Sequence, residues 1–153
     1  MKFKRNIYSL IATLGPVGYL PAPGTCATVV SLPVVCAIKY VNMSLWQELF
    51  VLLFITVVSY FVISRALVFF VADDPSEIVL DELVGTLWLF VGLPIEPYVI
   101  ICSIIIFRFF DITKWGISFL EKLPGAFGVL SDDIAAAFIT ACIMHVAVAW
   151  HAL

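Results

Sequence analysis

Residues 45–71 read LWQELFVLLFITVVSYFVISRALVFFV. Charge enters only at Glu48 and Arg65, near the two ends, and everything between them is aliphatic, aromatic or hydroxyl-bearing. A helix crossing a bilayer needs about 20 such residues, so this stretch spans with length to spare for tilt. Working outward, Thr25 to Val41 and Ile134 to Trp150 are shorter segments of the same kind. The middle is less simple. Pro75 to Gly92 and Pro97 to Asp111 read as two helices joined by Leu93-Pro94-Ile95-Glu96. Asp74-Pro75-Ser76-Glu77 opens the first with a capping carboxylate, a proline at the first helical position and a glutamate at the third. A helix from Pro75 to Gly92 would rise about 27 Å, enough to cross.

Composition agrees. The chain has 153 residues, one domain's worth; 63% are hydrophobic and 12% charged, against about 45–50% apolar in soluble domains. So few charges cannot cover the surface of so small a soluble globule. A net charge of −3 argues against nucleic acid, which wants a strongly basic face. The basic start, Met1 to Arg5, precedes only Ile7 to Leu14 and then Gly15-Pro16. No small-residue cleavage site follows, so it reads as an interfacial or re-entrant helix. Cys26, Cys36, Cys102 and Cys142 are scattered in apolar segments without metal-ligand spacing and read as small buried hydrophobes. The expected fold is an all-α polytopic bundle, a single domain over 1–153, with about five membrane helices and the short N-terminal one.

Charge orients these helices. With the N-terminus in the cytoplasm, Lys2, Lys4, Arg5, Arg65, Arg108, Lys114 and Lys122 fall at cytoplasmic ends, and only Lys39 lies opposite. The same assignment gathers Asp73, Asp74, Glu77, Asp81, Glu82, Asp111, Glu121, Asp132 and Asp133 on the cytoplasmic side and leaves Glu48 and Glu96 on the other. Ionisable groups at membrane depth cost a few kcal/mol each and are usually functional.

Four segments therefore converge: Pro21-Ala22-Pro23-Gly24-Thr25, Asp81-Glu82, Arg108 to Lys114, and Ser131-Asp132-Asp133. The acid pairs and Asp111 supply hard oxygen ligands of the kind that Mg²⁺, Mn²⁺ or Ca²⁺ takes. Arg108, Asp111 and Lys114 recur every three residues and would form one stripe on a continuing helix. Arginine offers a planar fork for phosphate oxygens and lysine a point charge. Thr25 could cap the first span, where backbone N–H groups attract anions. Carboxylates for a divalent metal beside arginine and lysine suit phosphoryl transfer. At a membrane face the substrate would be a lipid head group.

Other chemistries fit less well. Cys102 and Arg108 match C-x₅-R, but the residues between them contain no glycine and read as buried helix. His145 and His151, the only histidines, lie toward the opposite end of the last span. The signature of the CDP-alcohol phosphotransferases is missing. A divalent-cation transporter using the same acids is the alternative reading, but a transport path needs polar residues beyond the acidic layer, and there are only single ones such as Thr86, Ser103 and Thr140.

At Gly18-Tyr19-Leu20-Pro21-Ala22-Pro23-Gly24-Thr25, Ile78-Val79-Leu80-Asp81-Glu82-Leu83-Val84-Gly85, Phe107-Arg108-Phe109-Phe110-Asp111-Ile112-Thr113-Lys114 and Gly125 to Ala136 the sequence resembles the phosphatidylglycerophosphatase A family, in order and in spacing. Trp115 and Ala126 stand where that family usually has proline and a second glycine. The resemblance implies a Mg²⁺-dependent enzyme of the bacterial cytoplasmic (inner) membrane that removes the terminal phosphate of phosphatidylglycerophosphate to leave phosphatidylglycerol, at a site facing the cytoplasm. On this reading Asp81, Glu82, Asp132 and Asp133 hold the metal and Asp111 assists them. Arg108, Lys114 and Thr25 bind the phosphate.

Overall fold

The computed structural model describes residues 6–72 and 74–151. Lys2, Lys4, Arg5 and Asp73, used above for orientation, lie outside the described residues. Six α-helices and no strand are present among those described: α1 (Ile7–Ala12), α2 (Pro23–Tyr40), α3 (Leu45–Leu67), α4 (Leu80–Leu89), α5 (Pro97–Thr113) and α6 (Ala126–His151).

Local signals explain some of these boundaries. Asn6 and Ser9 form a capping box at α1, and Ser44 and Gln47 form another at α3, each side chain taking the other's orphan N–H. Proline opens α2 and α5, where its missing N–H has no acceptor to lose. Lys114, in a left-handed conformation, caps α5 through its N–H to Phe110 O at 2.8 Å.

Five expectations change. The cysteines, expected to be buried, are not: Cys36, Cys102 and Cys142 are exposed on the apolar outside and Cys26 is half-buried. The helix expected from Pro75 begins at Leu80, and Val79 caps it without a side-chain bond. Residues 74–79 instead turn and dock on α1: Ile78 N–H bonds Pro75 O, and Val79 N–H bonds Ala12 O, both at 2.9 Å. Burial of Ile78 and Val79 outweighs the capping signature. Thr25 does not cap α2; that position is Ala22, and Thr25 sits exposed in the first turn. The last helix starts at Ala126 rather than Ile134, so Asp132 and Asp133 lie well inside it. Finally, α5 stops at Thr113, which takes Lys114 off the stripe of Arg108 and Asp111.

Three helices, α2, α3 and α6, are long and apolar enough to cross a membrane. The count of about five crossings is therefore not carried by helix length. With 10 residues, α4 rises only about 15 Å. It still reaches deep: Leu87 and Phe90 line a small cavity with Lys39 and Glu48, and the turn after it offers Val91 O to His145 Nε2 at 3.0 Å. Lys39 and Glu48 form an ion pair of 2.7 Å at this end of the bundle, away from the other acids.

Helix α4 sits in the middle, against α2, α3 and α6, while α5 packs on α6 and α1 on α3. Small residues make the α4–α6 contact close: Gly85 and Thr86 on one side, Ala136, Ala137 and Thr140 on the other, all buried. The outside is apolar. On α5, Ile101, Ile105, Phe109 and Ile112 form an exposed stripe, and Val99, Ser103, Phe107 and Asp111 face inward. Tyr40, Trp46 and Trp150 stand exposed at one end of the three long helices, as an interfacial aromatic belt would. The inverted order, lipid-like surface outside and carboxylates within, is that of a membrane bundle.

With the four native cysteines replaced by alanine, cysteines introduced at Asn42 and Lys122 should react with an impermeant maleimide from opposite sides of sealed vesicles, because the α2–α3 turn and the loop before α6 lie at opposite ends. Labelling of both from one side would refute this arrangement.

Candidate functional site

Helices α2, α4 and α6 begin, and α3 and α5 end, at one end of the bundle. Four of these helix ends supply the predicted residues. Asp81 and Glu82 form the first turn of α4, and Asp132 and Asp133 come from the second turn of α6. Arg108 and Asp111 are in the last turns of α5, and Gly24 and Thr25 in the first turn of α2.

One carboxylate oxygen from each of Asp81, Glu82 and Asp133 lies within 4.8 Å of the other two. Asp81 and Asp133 are buried. Asp81 Oδ1, Glu82 Oε2 and Asp133 Oδ2 are each sealed from solvent with no hydrogen-bond partner. An orphaned buried acceptor is costly, and here three acidic groups each keep one. Two unit charges about 4 Å apart interact by roughly 4 kcal/mol at an effective dielectric of about 20, so three carboxylates cannot share this space ionised without a cation. Asp74, on the loop before α4, adds negative charge near Asp81 and Asp132. The donor set is oxygen-only and acidic, which fits Mg²⁺, Mn²⁺ or Ca²⁺.

The fourth expected ligand takes a different partner. Asp132 accepts a short hydrogen bond from Lys114 Nζ, and its other oxygen accepts from Asp133 N–H at 3.0 Å. Burial works against the charge on Lys114, but the hydrogen bond and charge of Asp132, with Asp111 and Asp133 behind it, outweigh burial and raise the lysine above its usual pKa. Lys114 therefore stays a cation at any physiological pH. Arg108 Nη1 pairs with Asp111 Oδ2 at 2.5 Å and lies 3.8 Å from Glu82 Oε1. Its Nε is buried and without a partner. Arg108 thus links Asp111 to the carboxylate cluster and keeps a donor in reserve. In the first turn of α2 the N–H groups of Gly24 and Thr25 have no acceptor within the helix, and the Thr25 side chain is exposed beside them.

Two residues had no assigned role in the sequence reading. A side chain at Gly85 would meet Phe107 Cζ at 3.0 Å and Asp133 Cβ at 3.3 Å, so its absence lets α6 bring Asp133 to the head of α4. Gly24 makes the corresponding approach to Glu82 and Arg108. Helical spacing alone could not have revealed either, because both depend on which helices become neighbours.

The family model of phosphatidylglycerophosphatase A matches residues 10–148. The chain belongs to this family. A Bacteroides thetaiotaomicron protein described as a "putative phosphatidylinositol-3-phosphatase" is 33% identical over 79 residues, which cover 49% of this chain and 50% of that protein. The chain thus matches about half the length of that relative. No solved structure matches.

In EDTA at pH 8, Asp133→Asn should raise the melting temperature of the detergent-purified protein, because it removes one of three crowded charges. Asp132→Asn should lower stability by about 1–3 kcal/mol, because it removes the charge that faces Lys114 across a short hydrogen bond. Equal shifts of the same sign would show that the two neighbours do not differ as this geometry requires.

Proposed function

We propose that this protein hydrolyses the terminal phosphomonoester of phosphatidylglycerophosphate, with Mg²⁺, at the cytoplasmic face of the bacterial inner membrane. The observation that carries this reading is the set of three unpartnered carboxylate oxygens beside the buried guanidinium of Arg108, at one end of an apolar bundle. Asp81, Glu82 and Asp133 would hold the ion, with Asp132 close by through Lys114. When bound, such an ion neutralises phosphate oxygens and lowers the pKa of a coordinated water.

The chain's own residues supply the rest. Asp111 fixes the Arg108 guanidinium by one edge, so that its Nε remains to meet a phosphate oxygen. Fixing the fork in advance spares the cost of ordering it when charge builds on the phosphoryl group. Lys114, held charged by Asp132, adds positive potential on the α6 side. The first-turn N–H groups of α2 face the same region and favour an anion. The lipid chains of a substrate would stay in the bilayer around the apolar exterior while its head group enters from the end of the bundle. A phosphoinositide is the second substrate to consider, because the similar Bacteroides protein carries that description. Transport of divalent cations is disfavoured: of the polar groups below the carboxylates, Thr86 and Thr140 spend their hydroxyls on carbonyls of their own helices, which leaves the Ser103 hydroxyl alone without a partner, too little to line a path.

Purified protein in mixed micelles should release phosphate from phosphatidylglycerophosphate with Mg²⁺ and stop in EDTA. Assay of phosphatidylinositol 3-phosphate in parallel assigns the preferred head group. Asp81→Asn and Asp133→Asn should each lower turnover by orders of magnitude. Release of phosphate from neither lipid would refute the reading.

Arg108→Lys keeps the charge but loses the fork, and should cost about 3 kcal/mol, or roughly a hundredfold in rate. Lys114→Arg should cost much less, because a point charge is easier to replace. Near-normal turnover in Arg108→Lys would leave Arg108 a structural partner of Asp111.

A further inference from the structure

Gly24 is the second residue of α2, and its backbone is ordinary right-handed helix. No positive φ demands glycine there, and glycine stabilises a helix less than alanine does. The reason for it must be space. A β-carbon built on Gly24 would overlap Glu82 Oε1 and stand 2.7 Å from Arg108 Nη2 and 2.9 Å from Arg108 Nη1. Those atoms belong to one acid of the carboxylate cluster and to the cation beside it.

The identity of the obstacle matters. At Gly18 and Gly128 an added β-carbon would strike backbone carbonyls, those of Glu77 and Leu123. Backbone cannot step aside cheaply, so these are glycines of the fold. At Gly24 the obstacles are the tips of two flexible side chains, which can move without unfolding anything. A methyl group there would leave the helix intact and displace Glu82 and Arg108 together.

We propose that Gly24 is a positioning residue of the metal and phosphate site: its bare α-carbon lets Glu82 and Arg108 seat against the first turn of α2. The inference rests on the functional reading above and adds a residue to it. Glu82 Oε1 and the Arg108 guanidinium are both packed onto the α-carbon of Gly24, while Glu82 Oε2 is buried without a partner. The α2 backbone thus serves as the wall against which the cation and one cluster acid are aligned.

The test uses the full chain in nanodiscs, with Mn²⁺ as the probe ion read by its EPR signal, turnover on phosphatidylglycerophosphate, and melting temperature in EDTA. Gly24→Ala should keep or raise the melting temperature. It should weaken Mn²⁺ binding about 10- to 100-fold, as lost support of a ligand does, and lower kcat by about a hundredfold, as a misplacement near 1 Å does. Gly128→Ala should do the reverse, lowering the melting temperature with normal Mn²⁺ affinity in the folded fraction. Glu82→Asp withdraws the carboxylate by one methylene, so it should weaken Mn²⁺ binding less in the Gly24→Ala background than in the wild type. Wild-type affinity and turnover in Gly24→Ala would overturn the proposal, and so would losses that simply track a fall in melting temperature, or additive effects in the double variant. A wild-type protein that neither binds Mn²⁺ nor releases phosphate would instead overturn the functional reading, and this proposal with it.

Discussion

The constraint on which this structure depends is the burial of carboxylates at the head of its central helix. Asp81 and Asp133 are shut inside an apolar bundle, and Glu82 completes a cluster with an unpartnered oxygen on each member. In lipid this would be prohibitive, and in a dry protein core only slightly less so. The bundle answers by surrounding the acids with helix ends rather than helix middles. Helix N-termini of α2 and α4 bring their positive dipole ends to the cluster, and α5 delivers a guanidinium near its C-terminus. Two cations and two helix ends still leave five carboxylates undercompensated. The site is therefore built with a deficit of positive charge, which a divalent ion or a protonation must make good.

The same demand explains the length of α4. A helix of 10 residues cannot cross a bilayer, but it need not, because neighbouring helices enclose it on several sides. Its chain enters at the acidic end over α1, held by Val79 N–H on Ala12 O, and leaves by a turn clamped by His145. A longer α4 would carry Asp81 and Glu82 deeper into hydrocarbon or lift the following turn beyond the reach of α6. Gly85 and the alanines of α6 then reduce the interhelical distance until Asp133 meets Asp81. Packing of small residues, a stability device in other membrane bundles, here also sets the distance between two carboxylates.

Much of this was legible in the sequence and some was not, for physical reasons. Hydropathy marks α2, α3 and α5 because lipid exposure imposes long apolar runs. The apolar run puts the start of α6 at Ile134, eight residues late, because two adjacent aspartates interrupt it, and only the neighbouring α4 and α5 make them tolerable inside the helix. Asp74-Pro75-Ser76-Glu77 has every local sign of a helix start, and a tertiary contact with α1 overrides it. The gathering of acids on one membrane side could be read by sorting charges along the chain. Which acid meets which cation could not: Lys114 leaves the stripe of Arg108 because α5 ends a residue too soon, and only then can it reach Asp132.

That division of partners is itself informative about the chemistry. Were all five acids equivalent ligands, the two cations would compete with metal for them. Instead the acids separate into two groups. Asp111 and Asp132 each take a cation and hold it, Arg108 and Lys114 respectively. Asp81, Glu82 and Asp133 each keep an oxygen without a partner, and each brings a carboxylate oxygen within 4.8 Å of the other two. The first group spends its charge on fixing donors in place, and on the proposed reading the second is left to hold an ion. Glu82 belongs partly to both, since its other oxygen lies 3.8 Å from Arg108. A phosphate that met the ion and Arg108 together would therefore lie next to Glu82 and against the first turn of α2. A terminal phosphomonoester, with three free oxygens and a negative charge, has the acceptors to meet the α2 N–H groups, Arg108 and such an ion together.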